Sequence, residues 1–187
     1  VNDVVELSNA YKLGYKFEGW QDETGKKISV ISKNTIGNKR LTATWSATQV
    51  NASSNGSTYN LSQAYTVVNV SANANFVIKN TVSQVMFTGN SQSEVKITIE
   101  SRSATLVLIF DDISLISHGN ASLIDGINAE YIDMIVVGNV SLLANDNTQT
   151  ASPALISCNF LNIFRRRVIT MYGPDSTGHD LFNGIPR

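Results

Sequence analysis

Three segments of the chain align when written one under another: LVLIFDDISLI from Leu106, MIVVGNVSLL from Met134 and LNIFRRRVITM from Leu161. Their starts lie about 27 or 28 residues apart. Each is a short apolar run, a break of two or three polar or glycine residues, and a second apolar run. A weaker earlier copy reads VKITIES, Val95 to Ser101. A fixed period of this size, built of strands with no helical periodicity between them, predicts a β-solenoid. In such a coil each strand pairs with its equivalent in the next. The inward positions then form stacked ladders, here Leu106, Met134 and Leu161, then Leu108, Val136 and Ile163. No coil buries its inner face without neighbours above and below it.

The repeat texture begins near Tyr65, so residues 65–187 are expected to be parallel coils. The preceding string SATQVNASSNGSTYN is rich in Ser, Asn, Thr and Gly and has little to bury. It makes 48–64 a linker or an irregular entry segment. Residues 1–47 differ in kind. YKFEG places Tyr15 and Phe17 on one face against Lys16 and Glu18, and LTATW places Leu41, Ala43 and Trp45 against Thr42 and Thr44. That alternation is the signature of half-buried strands. QDETGKK holds a turn centred on Thr24-Gly25, and NTIGNKR holds a second. Both tryptophans fall in this region. A module of under 50 residues has few positions with which to exclude water, and large aromatics bury the most area per position. Tyr15, Phe17, Trp20 and Trp45 are therefore expected in its core.

Composition narrows the function. Of 187 residues, 42% are hydrophobic, enough for a packed core, and only 16% are charged, with a formal net charge of -1. The basic footprint of a nucleic-acid binder is absent. No apolar run approaches the length of a membrane span, so no membrane insertion is expected. The Val-Asn-Asp start has no basic n-region and no h-region, which suggests a mature product or an excised fragment. The one cysteine, Cys158, lies in the apolar run PALISCNFLNIF. It excludes a disulfide within the chain and a cysteine-based zinc site, and it is expected to be a small buried thiol.

Two resemblances follow. LGYKFEGWQDETGKKIS with GNKRLTATWSA resembles the Listeria–Bacteroides repeat, the internalin-type B repeat, whose pattern G-Y-x-F-x-G-W and terminal L-x-A-x-W falls on Gly14, Tyr15, Phe17, Gly19, Trp20, Leu41, Ala43 and Trp45. The resemblance implies a small β-grasp-like module of secreted or wall-attached bacterial proteins, with a first strand expected before VNDVVEL. The later region resembles right-handed parallel β-helix domains, pectin-lyase-like and carbohydrate-binding-domain-like. Their texture L-x-I-x-G-x-G-x-L-x-I-x-G falls on Leu161, Ile163, Arg165, Arg167, Ile169, Met171 and Gly173, with arginine at two of the glycine positions. The expected fold class is thus mostly β, a β-grasp-like repeat module (1–47) joined to a parallel β-helix, or β-solenoid, whose coils are expected to continue past Arg187.

Parallel β-helices include polysaccharide hydrolases and lyases, so the chain's Asp111-Asp112, Ser117-His118-Gly119 and Arg165-Arg166-Arg167 bear on catalysis. Asp112 and His118 lie six residues apart on one coil, whereas convergence on a groove needs about a full coil between them. Adjacent aspartates in a strand point to opposite faces, and two catalytic carboxylates must flank one glycosidic bond. A polar turn is the expectation, with no catalytic residue. Asp111, Asp125 and Asp133 are scattered, and neither His118 nor His179 has a second histidine at ligand spacing, so no metal and no cofactor are expected. The arginine triplet carries two readings, a fork of donors for the carboxylate or sulfate groups of an acidic glycan or decoration of an exposed turn. Tyr131 and Tyr172, near strand ends, are single candidates for sugar stacking. Six Asn-x-Ser/Thr sequons, at Asn51, Asn55, Asn60, Asn69, Asn120 and Asn139, are expected by chance in so Asn- and Ser-rich a chain.

Together these features predict a fragment of an extracellular or cell-wall-attached protein that presents a β-helix to glycans or to host or matrix surface proteins. Its expected ligand-binding residues are Arg165, Arg166, Arg167 and Tyr172. The alternatives are part of a polysaccharide lyase or hydrolase whose catalytic coils lie elsewhere, and a purely structural stalk.

Overall fold

A computed structural model describes residues 3–89, 92–118, 121–144, 154–165, 169–172 and 182–183. They are mostly β and contain no helix. The chain divides into two compact units, 1–47 and 48–187.

The first unit holds β1 (Val5–Glu6), β2 (Lys16–Gln21), β3 (Lys27–Ile28), β4 (Val30–Ile31) and β5 (Thr42–Ser46). β1 pairs antiparallel with β4, and β2 lies between β3 and β5 in an antiparallel sheet. Phe17 and Trp20 are three apart and ought to face opposite ways. A bulge between Phe17 and Gly19 changes the parity, and Gly19, at φ +125°, adopts a backbone that side chains disfavour. Phe17 therefore meets both Trp20 (ring centroids 5.6 Å apart) and Trp45 (5.3 Å), each edge to face. The predicted turn after β2 is fixed by Asp22, whose Oδ1 accepts from the Thr24 and Lys26 amides and the Thr24 hydroxyl. Of the expected core aromatics, Phe17, Trp20 and Trp45 cluster, Tyr15 lies under the Lys12 ammonium at 3.9 Å, and all four are only half-buried. Among the described residues of this unit no hydrophobic side chain is fully buried.

The second unit comprises β6 (Thr48–Ala52), β7 (Ser57–Leu61), β8 (Tyr65–Val70), β9 (Ala74–Ile78), β10 (Gln84–Thr88), β11 (Ser93–Ile99), β12 (Leu106–Asp111), β13 (Ser114–Ser117), β14 (Ile124–Val137), β15 (Val140–Leu143), β16 (Ile156–Arg165), β17 (Ile169–Tyr172) and β18 (Phe182–Asn183). They form one 13-stranded sheet, and every strand pairing in it is parallel. One ladder runs β6, β8, β10, β12, the later part of β14, then β16. A second runs β7, β9, β11, the start of β14, the start of β16, then β18. A third, β13, β15 and β17, branches from the first residues of β11.

The core lies between these ladders. Buried residues alternate along β9, β10, β11, β13 and β15 and along much of the other described strands, giving rows such as Val68, Phe87, Phe110 and Val136, or Phe76, Ile97, Ile124 and Ile156. Phe87 stacks on Phe110 along its row, Tyr59 stacks on Phe76 along another, and Phe76 reaches Phe87 edge to face at 5.2 Å, tying the two ladders together.

Three sequence expectations need correction. Residues 48–64 carry β6 and β7, whose inward Ala52 and Leu61 join the core, so this Asn- and Ser-rich string opens the sheet. Gln49, Asn51, Thr58 and Asn60 occupy outward positions, which composition alone does not distinguish from a linker. The earlier copy of the repeat at Val95 belongs to the second ladder; the strands equivalent to Leu106–Asp111 are β10, β8 and β6. The constant step also fails. Paired residues are 18 apart from Thr48 to Thr66, then 19 to Val85, 23 to Leu108, 26 to Met134 and 29 to Ile163. Leu106 and Leu161 do share a row, but Ile132 lies between them, and Met134 pairs with Leu108 and Ile163. A slip of two residues leaves every side chain on the same face, so the apolar pattern tolerates either register.

Candidate functional site

Within the catalytic-looking set, Asp112 and His118 have local partners. Asp112 sits in the break between β12 and β13 with φ +45°, and its Oδ1 accepts from the Asn139 amide at 2.7 Å. That bond stacks this break on the Gly138-Asn139 break of the next pass, so Asp112 closes a turn. Asp111 is half-buried in the row between Thr88 and Val137; desolvation, then the neighbouring Asp112 charge, pushes its carboxyl above the ordinary range. Ser117 is buried beside Val95, and His118 Nδ1 lies 3.2 Å from Glu94 Oε2. Gly119 falls outside the described residues. No group of three or more His, Cys, Asp or Glu able to hold a metal occurs among the described residues.

Of the expected ligand-binding residues, Arg165 ends β16 opposite Val136. Its register puts it on the core-side row of Phe110 and Val136, yet it is exposed, at the end of the last strand of that ladder among the described residues. Arg166 and Arg167 lie outside the described residues. Tyr172 is the last residue of β17 and registers with Leu143.

Two features escaped the sequence reading. One is Arg102, whose guanidinium donates to the carbonyls of Val82, Ala104 and Thr105 and stitches one pass to the next. Its partial burial lowers the pKa, although the three carbonyls suit the cation.

The other is the outward face of β14 and β16. Ile132 and Leu161 face the core, so Tyr131, Asp133 and Ile135 face outward beside Phe160, Asn162 and Phe164. Tyr131 and Phe160 stack at 5.3 Å with 23° between their planes. Asn162 Nδ2 donates to Asp133 Oδ1 at 2.9 Å. The amide of Asn159 turned the other way donates to the carbonyls of Ile127 and Ala129 and pins the bend that precedes Phe160. Hydrogen bonding to Glu130 holds the Tyr131 phenol above its ordinary range. The exposed fraction is 39% for Tyr131, 48% for Phe160 and 53% for Phe164. Tyr131, expected as a single aromatic, is thus one member of a strip.

A separate concavity of about 320 Å³ lies in the first unit, with Ile28, Ile31 and Leu41 in its wall and Lys39 and Arg40 beside them.

No protein-family model, no curated protein and no solved structure matches the chain.

Proposed function

We propose that this chain is a segment of an extracellular or cell-wall-attached surface protein, in which a β-grasp-like unit resembling the Listeria–Bacteroides repeat precedes a parallel β-helix that serves attachment to glycans or to host or matrix proteins. The observation that carries this reading is the unbroken parallel ladder from Thr66 through Val85, Leu108 and Met134 to Ile163. Each added pass buries the last one's inner row and extends a rigid outer surface, the form a presenting scaffold needs. The cationic run of Arg165, Arg166 and Arg167, with Tyr172 on the next strand, supplies donors for carboxylate or sulfate groups. The reading contains no catalytic step.

A stalk is the second reading. It is favoured by outward rows of amides and hydroxyls, Asn51 beside Asn69 and Thr88, and Ser114 beside Ser141. The test is an array of polysaccharides and matrix proteins probed with the whole chain and with the Arg165→Ala, Arg166→Ala, Arg167→Ala variant. Salt-sensitive binding to acidic glycans, lost in a folded variant, supports attachment through the arginines. Silence towards every glycan and matrix protein contradicts attachment and leaves the stalk.

A further inference from the structure

The geometry points to a neutral polysaccharide, bound along β16 by the strip Phe160, Asn162 and Phe164, as a ligand of this protein. The inference rests on the attachment reading but assigns a different surface and a different ligand from the arginine run. Phe160 and Phe164 share a face and stand four residues apart, about 13 Å at the usual rise of a strand. Tyr131 stacks on the Phe160 ring, and Phe160 remains 48% exposed. An aromatic face carries negative charge density and attracts the weakly positive C–H bonds on the apolar side of a pyranose.

Between the two rings, Asn162 uses one amide hydrogen on Asp133. One N–H and the carbonyl oxygen remain on Asn162, and a second carboxylate oxygen remains on Asp133, a set of donor and acceptors suited to sugar hydroxyls. Apolar, polar and apolar positions alternate along the strand, as C–H faces and hydroxyl groups do along a glycan. An apolar protein helix would instead bury the Asp133–Asn162 pair without replacing its water. Charge selects among glycans. Among the described residues beside Phe160, Asn162 and Phe164, the carboxylates are those of Asp133 and of Glu130 at the Tyr131 hydroxyl, while Arg165 registers with the opposite row. These carboxylates disfavour uronates and sulfated sugars.

The test titrates the whole chain with neutral β-linked oligosaccharides of glucose, mannose, xylose and N-acetylglucosamine, and with an oligouronate, at low and high salt. Phe160→Ala, Phe164→Ala, Phe160→Trp and, on another face, Lys96→Ala are run in parallel. The expected result is salt-insensitive binding of at least one neutral oligosaccharide. Phe160→Ala and Phe164→Ala each weaken it tenfold or more, Phe160→Trp retains it, and Lys96→Ala is unchanged. Binding confined to the oligouronate overturns the inference while leaving the attachment reading in place. Failure to bind any neutral sugar, or alanine variants that bind like the parent, overturns it equally.

Discussion

Asp112 and Gly138 form a matched pair across two stacked turns. A Cβ on Gly138 would lie 2.0 Å from Asp112 Oδ1, and its φ is +71°, so the carboxylate occupies the space that only glycine leaves. Asp112→Ala removes the acceptor of the Asn139 amide and keeps the left-handed strain; the expected loss is about 1–3 kcal/mol in denaturant unfolding. Asp112→Asn keeps an acceptor oxygen in a residue that tolerates this backbone, and should cost clearly less. Asp111 shows the opposite balance. Its folded pKa is raised, so its contribution to stability is full below the ordinary aspartate range and is lost as pH rises through the raised value. Asp111→Asn should therefore stabilise the protein at pH 7, with the gain fading as the pH is lowered to 3. An unchanged difference across that range would show that the effect is not ionisation. Cys158 is fully buried with its thiol pushed up to about 11. It should resist thiol reagents at pH 8 in the native protein and react fully in denaturant.

Among the strands, face was legible in the sequence and register was not. The alternation in LVLIF and MIVV identified which side chains point inward, because a period of two survives any shift by two. The growth of the step from 18 to 29 residues was hidden, since Ile132, Met134 and Val136 are equally apolar neighbours for Leu108. The same error concealed the aromatic strip. A period of 27 or 28 sets Tyr131 opposite Cys158 or Asn159, whereas the actual step of 29 brings it to Phe160. The arginine triplet was visible as composition, but the core-side register of Arg165 needed the pairing itself. At this scale Phe87 is the sharpest probe of the core, because it touches Phe110 along its row and Phe76 across it. Phe87→Ala should cost about 3–5 kcal/mol, read by thermal or denaturant unfolding. A loss under 1 kcal/mol would mean that the ladders do not share a core there.

The molecule as a whole pairs two unequal units. Residues 1–47 gather Phe17, Trp20 and Trp45 at half-burial, whereas 48–187 hold every fully buried hydrophobic side chain among the described residues. Hydrogen exchange should reflect this, with the slowest amides in β8, β10, β12 and β14 and faster exchange throughout β1–β5. The division between two textures was readable, since aromatic alternation and aliphatic repetition are both local properties. The third ladder of β13, β15 and β17 was readable too, because the second apolar run of each repeat, ISLI, VSLL and VITM, supplies its strands; that it branches from β11 was not. Everything proposed for β16 depends on the parallel register that sets Asn162 beside Asp133. The direct measurement is disulfide formation between cysteines introduced at 133 and 162 in a Cys158→Ala background, compared with a pair at 135 and 162. Paired residues on adjacent strands are about 4.8 Å apart, within disulfide range. The account predicts that the 133–162 pair cross-links readily in the native protein and the 135–162 pair poorly. Preferential cross-linking of 135–162, or of neither, would contradict it.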